Sequence, residues 1–138
     1  MPSVLIKKMT EQYKYQVLNE DNIDQFIKSH ENCILFFAEN PVRYPESDDV
    51  AMILPELVKE YGYRFTAALI EQKSERVLQR RFGFVRWPTL VFLKKGQMLG
   101  YISKVQNWNE YIIKINDLLT AKPKPLLDIP LIIKPNNS

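Results

Sequence analysis

Cysteine occurs once in this 138-residue chain, at Cys33, and histidine once, at His30. A single cysteine excludes an intrachain disulfide, and one cysteine with one histidine excludes a structural zinc site built by this chain alone. Glycine is scarce too: the four present are scattered and match no phosphate-cradling loop. No apolar run approaches the ~18–20 residues of a membrane-spanning helix, so membrane insertion is not expected. The opening residues Met1-Pro2-Ser3-Val4-Leu5-Ile6-Lys7-Lys8 place their charges after a very short apolar stretch. That is the reverse of a secretory signal, and a cytoplasmic protein is expected. The net charge of +3 is too small to argue for a nucleic-acid partner.

What the chain does contain is enough for one packed domain. Hydrophobic residues make up 46% and charged residues 25%, a balance that excludes disorder and supports a real core. The charges are unevenly placed. Between Glu39 and Glu60 stand six acids (Glu39, Glu46, Asp48, Asp49, Glu56, Glu60) against Arg43 and Lys59. Between Lys73 and Lys104 stand eight bases against Glu75. An acidic region and a basic region are therefore expected on the surface.

Apolar periodicity divides the chain into short elements. Val4 to Gln12 reads as a helix with Leu5 and Met9 on one side, and Tyr15 to Leu18 as a short strand. Asp21 is placed to cap a helix running to His30, with Ile23, Phe26 and Ile27 on one face. Cys33 to Ala38 is a continuous apolar run, the pattern of a strand covered on both faces. After a loop with Pro41 and Pro45, Ser47 is expected to cap a helix from Asp48 to about Tyr61. Val50, Ile53, Leu54, Leu57 and Val58 form its stripe, Pro55 predicts a kink, and Gly62 ends it.

Phe65 to Ile70 reads as the next strand. Ser74 is expected to cap a helix carrying Val77, Leu78 and Phe82. Trp87-Pro88 breaks the chain. Thr89–Leu93 and Met98–Ser103 then predict a hairpin around Lys95-Gly96-Gln97. Asn107 and Glu110 form a capping-box pattern before a last helix with Trp108, Tyr111, Ile112, Ile115, Leu118 and Leu119. Residues 120–138 hold four of the nine prolines and read as a C-terminal extension to a domain spanning 1–119. Strand–helix–strand followed by strand–strand–helix predicts a three-layer α/β arrangement, its mixed sheet flanked by helices.

With a proline just before the hairpin, this order resembles thioredoxin. The local wording is similar as well: Phe37-Ala38-Glu39, a loop, a helix containing proline, then Phe82-Gly83-Phe84-Val85-Arg86-Trp87-Pro88-Thr89 and Gly96. The resemblance implies that Pro88 is cis and faces the loop before the helix. A closer resemblance covers nearly the whole chain. Pro45-Glu46-Ser47-Asp48-Asp49-Val50 with Ile53-Leu54-Pro55-Glu56-Leu57, Arg81-Phe82-Gly83 with Arg86-Trp87-Pro88, Leu99-Gly100-Tyr101-Ile102 with Trp108-Asn109-Glu110-Tyr111, and Ile129-Pro130 are similar to the HyaE/HupG family of hydrogenase expression proteins. That resemblance implies a thioredoxin-like fold without the redox cysteine pair. It also implies a role in maturation of uptake NiFe hydrogenase, associated with the twin-arginine signal peptide on the precursor of the small subunit before export.

Candidate chemistry is then weighed on the residues. Thiol–disulfide exchange needs an exposed thiolate in electropositive surroundings. The loop Asn40 to Asp49 has no cysteine and carries several acids, while Cys33 reads as an inert core thiol. His30 reads as a helix C-terminal cap rather than as a base for Cys33. Successive Asp48 and Asp49 point about 100° apart on a helix, and no metal or base partner is visible, so neither enzyme activity nor a cofactor is expected. Glu46, Asp48 and Asp49 have two readings, as charges complementing a helix dipole or as a carboxylate rim for arginine. In the second reading the backbone beside Pro88 adds an extended peptide as a strand, and Tyr44 and Trp87 cover its apolar side chains. Trp87 has an equal reading as plain core, and Trp108 reads as packing. The expected partner-binding set is therefore Tyr44, Glu46, Asp48, Asp49, Trp87 and Pro88. The alternative is a structural subunit, or a homo-oligomer, docking through the apolar stretch Leu126 to Ile133 of the extension.

Overall fold

A computed structural model describes residues 3–120; the C-terminal extension expected at 120–138 lies outside the described residues apart from Thr120. The elements are α1 (Val4–Glu11), β1 (Gln16–Leu18), α2 (Ile23–Ser29), β2 (Asn32–Phe37), α3 (Glu46–Glu60), β3 (Thr66–Ile70), a 3-10 turn (Gln72–Ser74), α4 (Glu75–Phe82), β4 (Thr89–Lys94), β5 (Gln97–Ser103) and α5 (Trp108–Thr120). The five strands form one sheet in the order β1-β3-β2-β4-β5. β3 runs parallel to both β1 and β2, whereas β4 is antiparallel to β2 and β5 to β4. This is the expected β-α-β plus β-β-α arrangement.

β2 is the middle strand, and its apolar run serves two cores by simple alternation. Ile34 and Phe36 face a cluster with Ile6 and Met9 of α1, Val50, Leu54 and Leu57 of α3, and Tyr111 and Ile115 of α5. Cys33, Leu35 and Phe37 face the opposite cluster, with Ile23, Phe26 and Ile27 of α2, Leu78 and Phe82 of α4, and Phe84 and Trp87. Each large aliphatic or aromatic side chain buried this way stabilises the fold by about 1.5–3 kcal/mol. The hairpin turns on Lys95 and Gly96, both at positive φ (52° and 78°), so the loop has two residues and Gln97 already belongs to β5.

Several local expectations are corrected. α3 starts at Glu46, so Ser47 lies inside its first turn instead of capping it, and its Oγ donates to the Ala38 carbonyl. Asp21 caps nothing: α2 starts after Asn22, and the Asn19 carboxamide organises the turn by accepting from the N–H groups of Asp21 and Asn22. Ser74 precedes α4, but its hydroxyl donates to Glu20. Val77 is exposed; the buried face of α4 is Glu75, Leu78 and Phe82. On α1 it is Ile6, with Met9, that is buried, and Leu5 only half so. Trp108 opens α5 as an exposed side chain, not as packing. Asn107 does accept from the Glu110 N–H, as the capping pattern predicts.

Candidate functional site

The loop between β2 and α3 is pinned at both ends. At its start Glu39 takes a left-handed conformation, φ 54°, and its N–H donates to the Glu75 carboxylate at 2.8 Å. At its end the Ser47 hydroxyl reaches back to Ala38. Between these, Tyr44 is half-buried with its ring 6.2 Å from that of Trp87. The Trp87-Pro88 bond is cis. The cis bond is what the resemblance to thioredoxin implies, but Pro88, like Trp87, is buried, and of the expected aromatic pair only Tyr44 reaches the surface.

Trp87 is buried at 5% exposure, which places its ring in the core beneath this surface more than on it. Its indole N–H donates to Glu75 at 2.6 Å, Phe84 meets it edge-on, and the Arg76 guanidinium lies 4.6 Å from its ring centroid. The Pro88 carbonyl accepts from the Lys104 N–H at 2.7 Å, so that acceptor is already occupied.

The three acids at the start of α3 are in three different situations. Glu46 accepts the Val105 N–H at 2.8 Å and pairs with Lys104 at 3.1 Å. The Val105 hydrogen bond, with Lys104 beside it, holds this carboxyl below the usual range despite partial burial. Asp48 accepts the Ser3 hydroxyl from the cap of α1. Asp49 alone is exposed and has no hydrogen-bond or ion-pair partner among the described residues. Immediately beside Pro88 the surface has the opposite sign: a hollow of about 410 Å³ is lined by Tyr44, Arg76, Val85, Arg86, Trp87 and Lys104.

Sequence reasoning missed Glu75. It is only 1% exposed, both its oxygens accept N–H bonds, and it ties Glu39 to Trp87. Burial pushes its carboxyl up to about 8; the two accepted bonds and Arg76 pull it partly back, and the neighbouring Glu39 charge opposes them. The available signal was its position as the lone acid in a run of eight bases.

Redox chemistry has no support in this geometry. Cys33 is buried on β2, and burial raises its thiol to about 12, far from the thiolate that exchange requires. His30 sits at the C-terminus of α2 with Nδ1 2.8 Å from the Phe26 carbonyl, the helix-end role expected for it. Among the described residues, no three His, Cys, Asp or Glu side chains are grouped to hold a metal ion.

A mixed sheet in this strand order, a cis-proline just before β4 and no cysteine in the β2–α3 loop together define a thioredoxin-fold protein without the redox pair. Similarity to known proteins agrees. Mitochondrial thioredoxin 3 of Saccharomyces cerevisiae superposes with a TM-score of 0.61 at 18% identity, covering 76% of this chain and 96% of that one, and so shows the fold. The chain belongs to the HyaE family of hydrogenase expression proteins: the family model "Hydrogenase-1 expression protein HyaE" matches residues 5–111. It is 41% identical over 128 residues to hydrogenase expression/formation protein HoxO of Azotobacter vinelandii, covering 93% of this chain and 86% of that one. The crystal structure of a putative hydrogenase expression/formation protein hupG from Rhodopseudomonas palustris is 36% identical, with a TM-score of 0.55, over 75% of this chain and 94% of that one.

Proposed function

We propose that this protein acts in hydrogenase formation as a non-catalytic cytoplasmic chaperone. It holds the precursor of the NiFe hydrogenase small subunit by its twin-arginine signal peptide before export. The observation that carries this reading is the pair Asp48 and Asp49 in the first turn of α3, at the end of the loop in which the thioredoxin resemblance would place a reactive thiol. Asp49 is exposed and unpaired, ready to accept a guanidinium in a charge-assisted hydrogen bond. Asp48 has only the neutral Ser3 hydroxyl to exchange for one. In this reading Tyr44, Trp87 and Pro88 form the floor beside the acids. Glu46 contributes by fixing the chain after β5 through Val105 and Lys104.

Titration of the full-length protein with a synthetic small-subunit signal peptide tests the reading. Binding should weaken about tenfold or more in Asp49→Lys and further in the Asp48→Lys/Asp49→Lys double variant, because a hydrogen bond to a charged group contributes about 1.5–3 kcal/mol. An affinity unchanged by both variants, or no binding by the unaltered protein, defeats the proposal.

A further inference from the structure

The hollow of about 410 Å³ beside Trp87 is lined by three cations, Arg76, Arg86 and Lys104, and by no acid. Two of them are paired with carboxylates that do not line it: Arg76 with Glu39 and Lys104 with Glu46, each at 3.1 Å. Neither pair exhausts its cation. The Arg76 contact uses one nitrogen of a group with five N–H donors. Lys104 has three donors, of which Glu46 and the Trp87 carbonyl, at 3.4 Å, occupy two. Arg86 has no ion-pair partner among the described residues. Nor have Arg43, whose guanidinium lies 5.8 Å from the Tyr44 ring centroid, and Arg80, one turn along α4 from Arg76. Glu39 and Glu46 thus leave Arg43, Arg80 and Arg86 unmatched. Glu75, bonded to the Trp87 indole, is pushed up to about 8 by burial and adds little negative charge at neutral pH.

The remaining lining suits contact with a protein. Tyr44 is half-buried with its ring 6.2 Å from that of Trp87, and Val85 is 73% exposed. Tyrosine, tryptophan and arginine are the residues that dominate binding energy where two proteins meet.

We infer that this hollow is a docking site for an acidic segment of a protein partner, one carboxylate of which bonds Arg86 and Arg76 while a neighbouring apolar side chain packs on Tyr44 and Val85. Charge complementarity selects the occupant, because guanidinium groups bond carboxylates through paired N–H···O contacts and no carboxylate in the lining competes. A lone inorganic oxyanion would leave the Tyr44 and Val85 walls uncovered. A nucleic-acid strand needs a basic groove with successive rings to stack on, whereas Trp87 is buried and Tyr44 is the one open ring in the lining. The inference does not rest on the signal-peptide reading, whose basic ligand meets Asp48 and Asp49; it adds a contact of the opposite charge.

The test is titration of the full-length ¹⁵N-labelled protein, near neutral pH, with a blocked peptide of glutamates and leucines and with its counterpart in which glutamine replaces every glutamate. The glutamate peptide should move the Trp87 indole signal and leave that of Trp108 in place. It should bind about tenfold or more tighter than the glutamine peptide, the ratio expected for one hydrogen-bonded charge. Arg86→Gln should remove most of that ratio and Arg86→Glu all of it. Arg86 is exposed, so neither substitution should alter the thermal melt. Lys114→Gln removes the same charge from α5, which packs on the opposite face of the sheet, and should leave the affinity unchanged.

Equal affinities for the two peptides overturn the inference, as does a loss in Lys114→Gln equal to that in Arg86→Gln, which would make the attraction one of overall charge. Displacement of the glutamate peptide by inorganic phosphate but not by chloride at equal ionic strength overturns it in favour of a small-oxyanion site. Arg86-dependent binding of oligodeoxythymidine, tighter than that of the glutamate peptide, overturns it in favour of nucleic acid. Asp49→Lys should bind the glutamate peptide at least as tightly as the unaltered protein does, so this inference and the signal-peptide reading fail separately.

Discussion

Glu75 and Cys33 are both buried, and burial sets the chemistry of each in a different way. The Glu75 carboxyl, raised to about 8, keeps its proton in the folded protein through a range where an unfolded glutamate, near 4.5, has released it. The folded state therefore binds more protons between these values. The contribution of Glu75 to stability is fully present below about pH 4.5 and is lost as pH rises toward about 8. Thermal melts from pH 5 to 8 should show this decline in the unaltered protein. Glu75→Gln should remove that part of the slope while lowering stability by about 1–3 kcal/mol at acid pH, because one of the two N–H donors loses its acceptor. A parallel slope in the variant would assign the pH dependence to other groups. At Cys33 burial leaves a neutral thiol packed among Leu35, Phe37 and Ile27. A disulfide-forming thiol reagent should not react with it at pH 8 until denaturant is added, and insulin reduction should be absent both before and after Cys33→Ser. Rapid labelling of the folded protein would return a redox role to consideration.

The elements themselves were largely legible, because each rests on a period set by local geometry. The continuous run from Cys33 to Ala38 marked the central strand, and the α3 stripe at Val50, Leu54, Leu57 and Val58 marked the face buried on it. Helix starts were not legible. Ser47, Asp21 and Ser74 all have the chemistry of a cap, yet a hydroxyl or carboxylate takes whichever partner the fold brings near. Ser47 meets the Ala38 carbonyl, Ser74 meets Glu20, and the turn at Asp21 is held by Asn19. Leu78 and Phe82 lie on the expected buried face of α4, whereas Val77, about 100° round the helix from Leu78, points to solvent, and Glu75 takes the third buried position. The contact of α5 with β5 depends on a missing side chain. A Cβ at Gly100 would collide with Leu118, so Gly100→Ala should cost about 1–3 kcal/mol in chemical denaturation. Combining it with Leu118→Ala should recover part of that loss; no cost in the single variant would mean that α5 shifts freely.

Across the whole molecule the charge blocks seen along the chain do not remain apart. Glu39 pairs with Arg76 and Glu46 with Lys104, so the acidic and basic stretches are stitched together around the β2–α3 loop. Such partly exposed pairs each contribute only about 0–1 kcal/mol. Their larger consequence is on what is left over: Asp49 is without an ion-pair partner among the described residues, and so is Arg86 on the other side of Trp87. Of the six residues assigned to partner binding from the sequence, the fold buries Trp87 and Pro88 and leaves Tyr44 half-buried, its ring 6.2 Å from that of Trp87. It divides the acids into one held internally, one lightly held and one free.

The absence of a second cysteine was decisive from the sequence alone, since no folding can supply a thiol that the chain does not encode. The strand and helix order was equally determined there, because alternation and 3.6-residue periods are local properties of the backbone. Which carboxylates stay free, and where a cation-lined hollow opens, was decided only by tertiary structure. An ion pair or a buried carboxyl such as Glu75 depends on residues 36 positions and more apart arriving within about 3 Å of one another. The loop without thiols therefore marked the candidate site, and the packing around Glu39, Glu46 and Glu75 determined which of its charges stay unpaired.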